Sequence, residues 1–285
     1  SVFRRMIKLA ALDLDGTLLS DDKTICNENR EAIREALKQG CKVVLCSGRS
    51  PGSLQFLMKE LGLNIPGQYG IALNGAVVFE ADTGKVISAQ EMEPESAEAV
   101  LRVGVPLMDG LNIQLYHVDK VFVQRWDETS EFYEKVTHTK PVLVKDLREL
   151  TKGVIKMSYF QKWDEAPSVT HGLEEILALK EKVEPQLPKS LAAQVSAPYL
   201  LEFMRADIHK GIGMEALGEI LGIRRDEMMG VGDLENDLGM LEYAGVGVAM
   251  KNGTQRVKDQ ADYVTERTNN EGGVAEVIRR FVLEA

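Results

Sequence analysis

The chain has 285 residues, 44% of them hydrophobic and 27% charged, with a formal net charge of −10. That length supports two cores rather than one, and the acidic balance argues against nucleic acid as a partner. No apolar run approaches the length of a membrane span, and no signal-peptide pattern precedes the first strand, so neither a membrane nor export is expected.

Cys26, Cys41 and Cys46 are odd in number and lack metal-ligand spacing. They read as reduced thiols in a cytoplasmic protein. Ser1 to Arg5 reads as a leader or cloning remnant, since the first strand needs nothing before Met6.

Leu9-Ala10-Ala11-Leu12 is an apolar run that ends in Asp13-Leu14-Asp15-Gly16-Thr17. It is too short for a helix and reads as a strand buried on both faces, as in a parallel sheet. Gly16 permits a tight turn there. Asp13 and Asp15 then lie at the carboxyl end of the strand, where open α/β sheets keep their chemistry. A buried carboxylate pair is costly unless a metal or a proton compensates it. If the strand ends between the two acids, both can approach one cation. An Asp-Gly turn closing an ordinary strand is the plainer alternative.

Between Asp22 and Gly40, Asn27 is placed to cap a helix with an Ile33, Ala36 and Leu37 stripe, and Gly40 to follow its end. A second buried strand, Lys42 to Cys46, runs into Ser47-Gly48-Arg49-Ser50-Pro51. A hydroxyl, a glycine and an arginine before a helix suit an oxyanion, although Ser-Gly is also ordinary turn chemistry. Ile71 to Val78 reads as a hairpin about Asn74-Gly75, with a second at Asp82-Thr83-Gly84.

From Lys85 to Arg205 polar helical stretches alternate with strand-like runs at 112–116, 121–124, 155–160 and 200–204. This predicts an inserted α+β domain with a largely antiparallel sheet. His209-Lys210-Gly211 then leads into a helix expected over Ile212 to Leu221, where a surface lysine is the plain reading of Lys210. A strand ending at Gly232 precedes Asp233-Leu234-Glu235-Asn236-Asp237, whose acids either share a helix face or cap it. Ala244 to Asn252 reads as one more buried strand and turn, Asp262 to Thr265 as a last short strand, and Gly273 to Leu283 as a closing helix.

Taken together, D-L-D-G-T-L-L, S-G-R, H-K-G and G-D-L-E-N-D resemble, in order, the four signatures of the haloacid dehalogenase (HAD) superfamily of phosphohydrolases. The Asn74-Gly75-Ala76 and G-V-A-M-K-N segments, with the large insertion, look like its Cof-type branch with a C2-type cap, which includes bacterial sugar phosphatases. The resemblance implies a doubly wound, mainly parallel α/β core over 1–84 and 206–285, with an α+β cap over 85–205.

It also implies roles. Asp13 is the nucleophile and Asp15 the general acid/base. Leu14, Ser47, Gly48, Lys210 and Asn236 hold phosphate. Asp13, Asp233 and the Asp15 carbonyl hold Mg²⁺, and Asp237 and Arg49 support the site. The implied activity is hydrolysis of a small phosphorylated metabolite, with a sugar phosphate foremost. Asp15 argues against dehalogenation, because dehalogenases lack the second acid. A phosphotransferase or phosphomutase would share the core, and a phospho-Asp switch would need neither the insertion nor Asp15. In the insertion, Tyr116, His117, Lys156 and Tyr199 read as packing or surface residues before sugar contacts.

Overall fold

The computed structural model describes residues 6–163 and 172–283. Ser1 to Arg5, read above as a leader, lie outside them. Contacts divide the chain into one unit of Ser1–Ser88 with His209–Ala285 and another of Ala89–Ile208.

In chain order the strands are β1 (Leu9–Leu12), β2 (Lys42–Cys46), β3 (Tyr69–Ala72), β4 (Val77–Glu80) and β5 (Val86–Ala89). Then come β6 (Leu111–Tyr116), β7 (Val121–Val123), β8 (Val142–Leu143), β9 (Lys156–Gln161), β10 (Leu191–Ala197) and β11 (Leu200–Arg205). The last are β12 (Met228–Gly232), β13 (Val246–Ala249) and β14 (Tyr263–Val264). The helices are α1 (Asn27–Lys38), α2 (Pro51–Glu60), α3 (Pro94–Gly104), α4 (Glu128–Thr137), α5 (Leu173–Val183), α6 (Lys210–Leu221), α7 (Leu238–Tyr243), α8 (Gln255–Gln260) and α9 (Gly273–Val277).

The first unit is built on a sheet of order β14-β13-β12-β1-β2-β3-β4-β5. Its pairs from β14 to β3 are parallel, and β3 with β4 is antiparallel. Leu9 and Ala11 cluster with Val44, Cys46 and Met228 against Met214 and Leu217 of α6 and Met240 and Leu241 of α7. The alternate residues Ala10, Leu12, Val43 and Leu45 are also fully buried. Both faces are therefore covered, which is why these strands read as unbroken apolar runs. The fold is the doubly wound, mainly parallel core that the sequence implies.

Local chemistry sets the ends. Gly40 has φ +83° just beyond α1, where a left-handed residue ends a helix. The N-cap of α1 is Cys26, not Asn27, which is its first helical residue. Helix α2 begins with Ser50 as cap and Pro51 in its first turn. Helix α6 starts two residues before the predicted Ile212, because the His209 ring accepts from the Gly211 N–H at 3.1 Å and caps it there. After α9 the chain continues as a π-helix over Ile278–Leu283, so the closing helix is not uniform.

The boundaries differ slightly from 84/85 and 205/206. β5 is the edge strand of the first sheet, not part of the insertion. At the other end, Arg205 pairs with Asp207 at 2.6 Å and donates to Gln90, which keeps the residues after β11 with the second unit.

The second unit has a sheet of order β10-β11-β9-β6-β7-β8, antiparallel except between β7 and β8. Ile113, Leu115, Met157, Tyr159, Leu201 and Phe203 face Val100 and Leu101 of α3 and Ile176 and Val183 of α5. Strand β10 escapes sequence reading because Leu-Ala-Ala-Gln-Val-Ser-Ala carries little β propensity. Among the described residues, no helix is long and apolar enough to cross a membrane.

Candidate active site

Strands β2, β1 and β12 are parallel neighbours, so their carboxyl ends deliver Ser47, Asp13 and Asp233 to one edge of the sheet. The Asp13 N–H donates to Val231 O at 3.0 Å, which carries the β1 ladder one residue past its last strand position. Asp13 is buried, whereas the Asp15 side chain is 53% exposed, so the two acids diverge as the strand ends. Gly16 has φ +74°, and a Cβ on it would collide with the Asp233 carboxylate. That glycine is thus required twice, for the turn and for the room it leaves.

Lys210 is the first residue of α6 and is not on the surface: its side chain is only 1% exposed. Its Nζ donates to Asp13 Oδ1 at 2.7 Å and to Asp237 Oδ1 at 2.6 Å. Asp237 Oδ2 accepts from the Asp233 N–H at 2.9 Å and the Leu234 N–H at 3.3 Å. Of the two readings of the acid pair, capping is the one that fits Asp237, which also grips the lysine; Asp233 precedes the helical turn, so the two acids share no helix face. Asp237 sits in a short 3-10 turn before α7 rather than one α-turn into a helix.

Asp13, Asp233 and Asp237 offer carboxylate oxygens within 4.8 Å of one another. Three carboxylates against one ammonium leave a formal charge of −2 in a buried space. Burial, the Asp237 charge and the neighbouring Asp233 push the Asp13 carboxyl well above its usual range, against the pull of Lys210. Burial likewise pushes Asp233 up to about 6. Burial opposes the charge on Lys210, but Asp13 and Asp237 outweigh it and hold the ammonium well above its usual range.

A divalent cation would cancel the excess charge, and an all-oxygen donor set suits a hard ion. Both oxygens of Asp237 are already engaged, which leaves Asp13 and Asp233 as the carboxylates able to ligate. The residues present fit such an ion.

The remaining sequence candidates are placed as follows. Ser47 is buried, and its Oγ accepts from the Arg49 N–H at 3.1 Å. Gly48 leaves no room for a Cβ, which would meet the Asn74 side chain. Asn236 carries a buried Oδ1 with no hydrogen-bond partner. Leu14 is buried, and its carbonyl accepts from Thr17 and Leu19 at 3.1 and 2.9 Å. Arg49 lies 3.7 Å from Asp15 Oδ1.

In the second unit, Lys156 pairs with Glu202 at 2.7 Å beside the Tyr116 ring, and the His117 ring meets Leu150 O at 2.9 Å. Tyr199 stacks on Phe160. All four are packing residues within their own unit.

Sequence reasoning missed three contributors. Thr17 donates to Asp233 Oδ1 at 3.1 Å, Asn252 donates to Gly16 O at 2.8 Å, and Lys23 donates to Asp15 Oδ1 at 2.8 Å. Thr17 was legible within the first motif, but the other two depend on loop geometry. The three cysteines are free, and burial pushes the thiols of Cys41 and Cys46 up to about 12, so both stay protonated and inert.

The profile of the haloacid dehalogenase-like hydrolase family matches residues 10–278. The chain is 30% identical over 294 residues to the 5-amino-6-(5-phospho-D-ribitylamino)uracil phosphatase YwtE of Bacillus subtilis (strain 168), covering 97% of this chain and 98% of that one. A haloacid dehalogenase-like hydrolase from Bacteroides thetaiotaomicron superposes with a TM-score of 0.83 at 28% identity, over 96% of this chain and 99% of its own. The HAD subclass IIB sugar phosphatase BT4131 does so with a TM-score of 0.77 at 25% identity, over 96% and 98%. The chain belongs to the haloacid dehalogenase-like hydrolase family, among its phosphatases.

Proposed function

We propose that this chain hydrolyses phosphate monoesters of small polyhydroxylated metabolites, sugar phosphates foremost, through a phosphoryl group carried on Asp13. The observation behind this reading is the buried bridge from Lys210 to Asp13 and Asp237 beside Asp233. An anionic ester resists attack, so a site must neutralise it, align a nucleophile and protonate the leaving oxygen.

Lys210 fixes one oxygen of Asp13, which leaves the other to attack phosphorus. Its ammonium, the Ser47 hydroxyl, Asn236 and the N–H groups of Leu14 and Gly48 are the proposed donors to the phosphate oxygens. Asp15, exposed and two residues on, protonates the leaving alcohol and then takes a proton from the attacking water. Mg²⁺, held by Asp13, Asp233 and the Asp15 carbonyl, would supply charge neutralisation and orientation of the ester.

The substrate class rests on the relatives. YwtE is named for a phosphate on a ribityl chain and BT4131 for sugar phosphates. We assign residues 89–208 the role of substrate-selecting cap, and the free thiols favour a cytoplasmic setting.

The test is free-phosphate release from a panel of sugar and polyol phosphates after chelation, with and without added Mg²⁺. Release should require Mg²⁺, and Asp13→Asn should fall below about a hundredth of the wild-type rate. Full turnover after exhaustive chelation would remove the metal, and phosphate appearing on a second sugar would make the chain a transferase.

A further inference from the structure

Lys23 stands where the chain should not favour it. The segment after Leu19 is a tight hairpin: the Ser20 N–H donates to Thr24 O at 2.9 Å and the Lys23 N–H to Ser20 O at 2.8 Å. The last loop position of such a three-residue hairpin is left-handed and suits Gly or Asn. Here Lys23 occupies it with φ +67°.

The loop is held rigidly in spite of that strain. Asp22 Oδ1 accepts from both the backbone and the hydroxyl of Thr24. Asp21 is clamped by Asn269 at 3.0 Å and by Asn270 at 2.8 and 2.9 Å. Asn269 also donates to Leu19 O at 3.0 Å. The result aims the Lys23 ammonium at Asp15 Oδ1, 2.8 Å away, with Arg49 3.7 Å from the same oxygen. Among the described residues nothing bonds Asp15 Oδ2.

The Lys23 and Asp15 side chains are 62% and 53% exposed, and an exposed pair of that kind adds little to stability. Strain kept without a stability return is a pointer to function.

We propose that Lys23 is a positioning residue for Asp15. It pins Oδ1 so that Oδ2 carries the mobile proton, and it stabilises the negative charge that develops on the carboxylate. In the step it serves, an Asp13 oxygen forms a bond to phosphorus and the ester P–O bond breaks. The electron pair stays on the leaving oxygen, which takes the proton from Asp15 Oδ2. This rests on the general acid role assigned to Asp15 under the proposed function.

The test compares first-step rates, by single turnover, for phenyl phosphate and 4-nitrophenyl phosphate. The nitrophenolate leaves without full protonation and phenolate does not. Lys23→Asn suits the left-handed backbone and removes the ammonium. It should keep or raise the melting temperature, yet lose at least fivefold more rate on phenyl phosphate than on 4-nitrophenyl phosphate. Lys23→Arg should recover most of that difference, and Lys23→Asn should add nothing to it in an Asp15→Asn background.

Equal losses on both esters, or no loss, overturn the proposal. If Asp15→Asn shows the ester difference and Lys23→Asn does not, Lys23 alone is misassigned. If Asp15→Asn shows none, the acid role fails and the Lys23 role fails with it.

Discussion

Lys210 carries the heaviest load of any side chain in the site. Its ammonium is buried, and it is balanced by two carboxylates at 2.6 and 2.7 Å. Removing one member of a buried ion group leaves the others uncompensated, at a cost of about 3–5 kcal/mol. Lys210→Met should therefore lower stability by that order in urea unfolding, as well as slowing turnover. A loss below about 1 kcal/mol would mean that the two carboxylates are neutral in the folded protein and the bridge is not ionic. The sequence showed this lysine but not its burial. An H-K-G triplet has no local feature that separates a solvated lysine from one threaded beneath a strand end. Asn252 and Lys23 were hidden for a similar reason, since their partners lie 236 and 8 residues away on loops with no periodic pattern.

At the scale of elements, the parallel strands β1, β2 and β12 were legible because burial on both faces leaves an unbroken apolar run. The turn at Gly16 was legible too, though only the structure explains why nothing larger fits. The Asp233 carboxylate occupies the space of a Cβ, and φ is +74°. Gly16→Ala should cost about 1–2 kcal/mol in left-handed strain and tilt the Asp233 carboxylate away. We expect a folded variant whose Mg²⁺-dependent rise in melting temperature needs at least tenfold more metal. An unchanged metal response would show that Asp233 relaxes without consequence. Less legible were the short or edge elements. β8 has two residues, β10 is rich in alanine, and β5 belongs to the first sheet although it follows a turn that resembles a domain border.

For the molecule as a whole, the acid cluster is expected to make stability depend on pH, and the proposed Mg²⁺ would offset that dependence. Asp233 has an unfolded reference of 3.8 and rises to about 6 when folded. The folded state therefore binds its proton more tightly, and stability falls as pH rises through that window. The effect is worth up to about 3 kcal/mol. In chelator, urea unfolding should show wild type losing stability relative to Asp233→Asn between about pH 4 and about pH 6.5. Saturating Mg²⁺ should abolish that loss by compensating the carboxylates. A gain relative to Asp233→Asn over the same window would reverse the sign and contradict the burial argument.

In the proposed reaction the phosphoryl group passes through Asp13. The most direct measurement is acid quench of Asp15→Asn during turnover of 4-nitrophenyl phosphate with Mg²⁺, followed by peptide mass mapping. Attack by Asp13 needs no proton from Asp15 with this leaving group, whereas the water step does, so the intermediate should accumulate. One phosphoryl group should appear on the peptide that contains Asp13, as fast as the burst of nitrophenolate. A burst with no phosphoryl group on that peptide, or with the group on another residue, would contradict it.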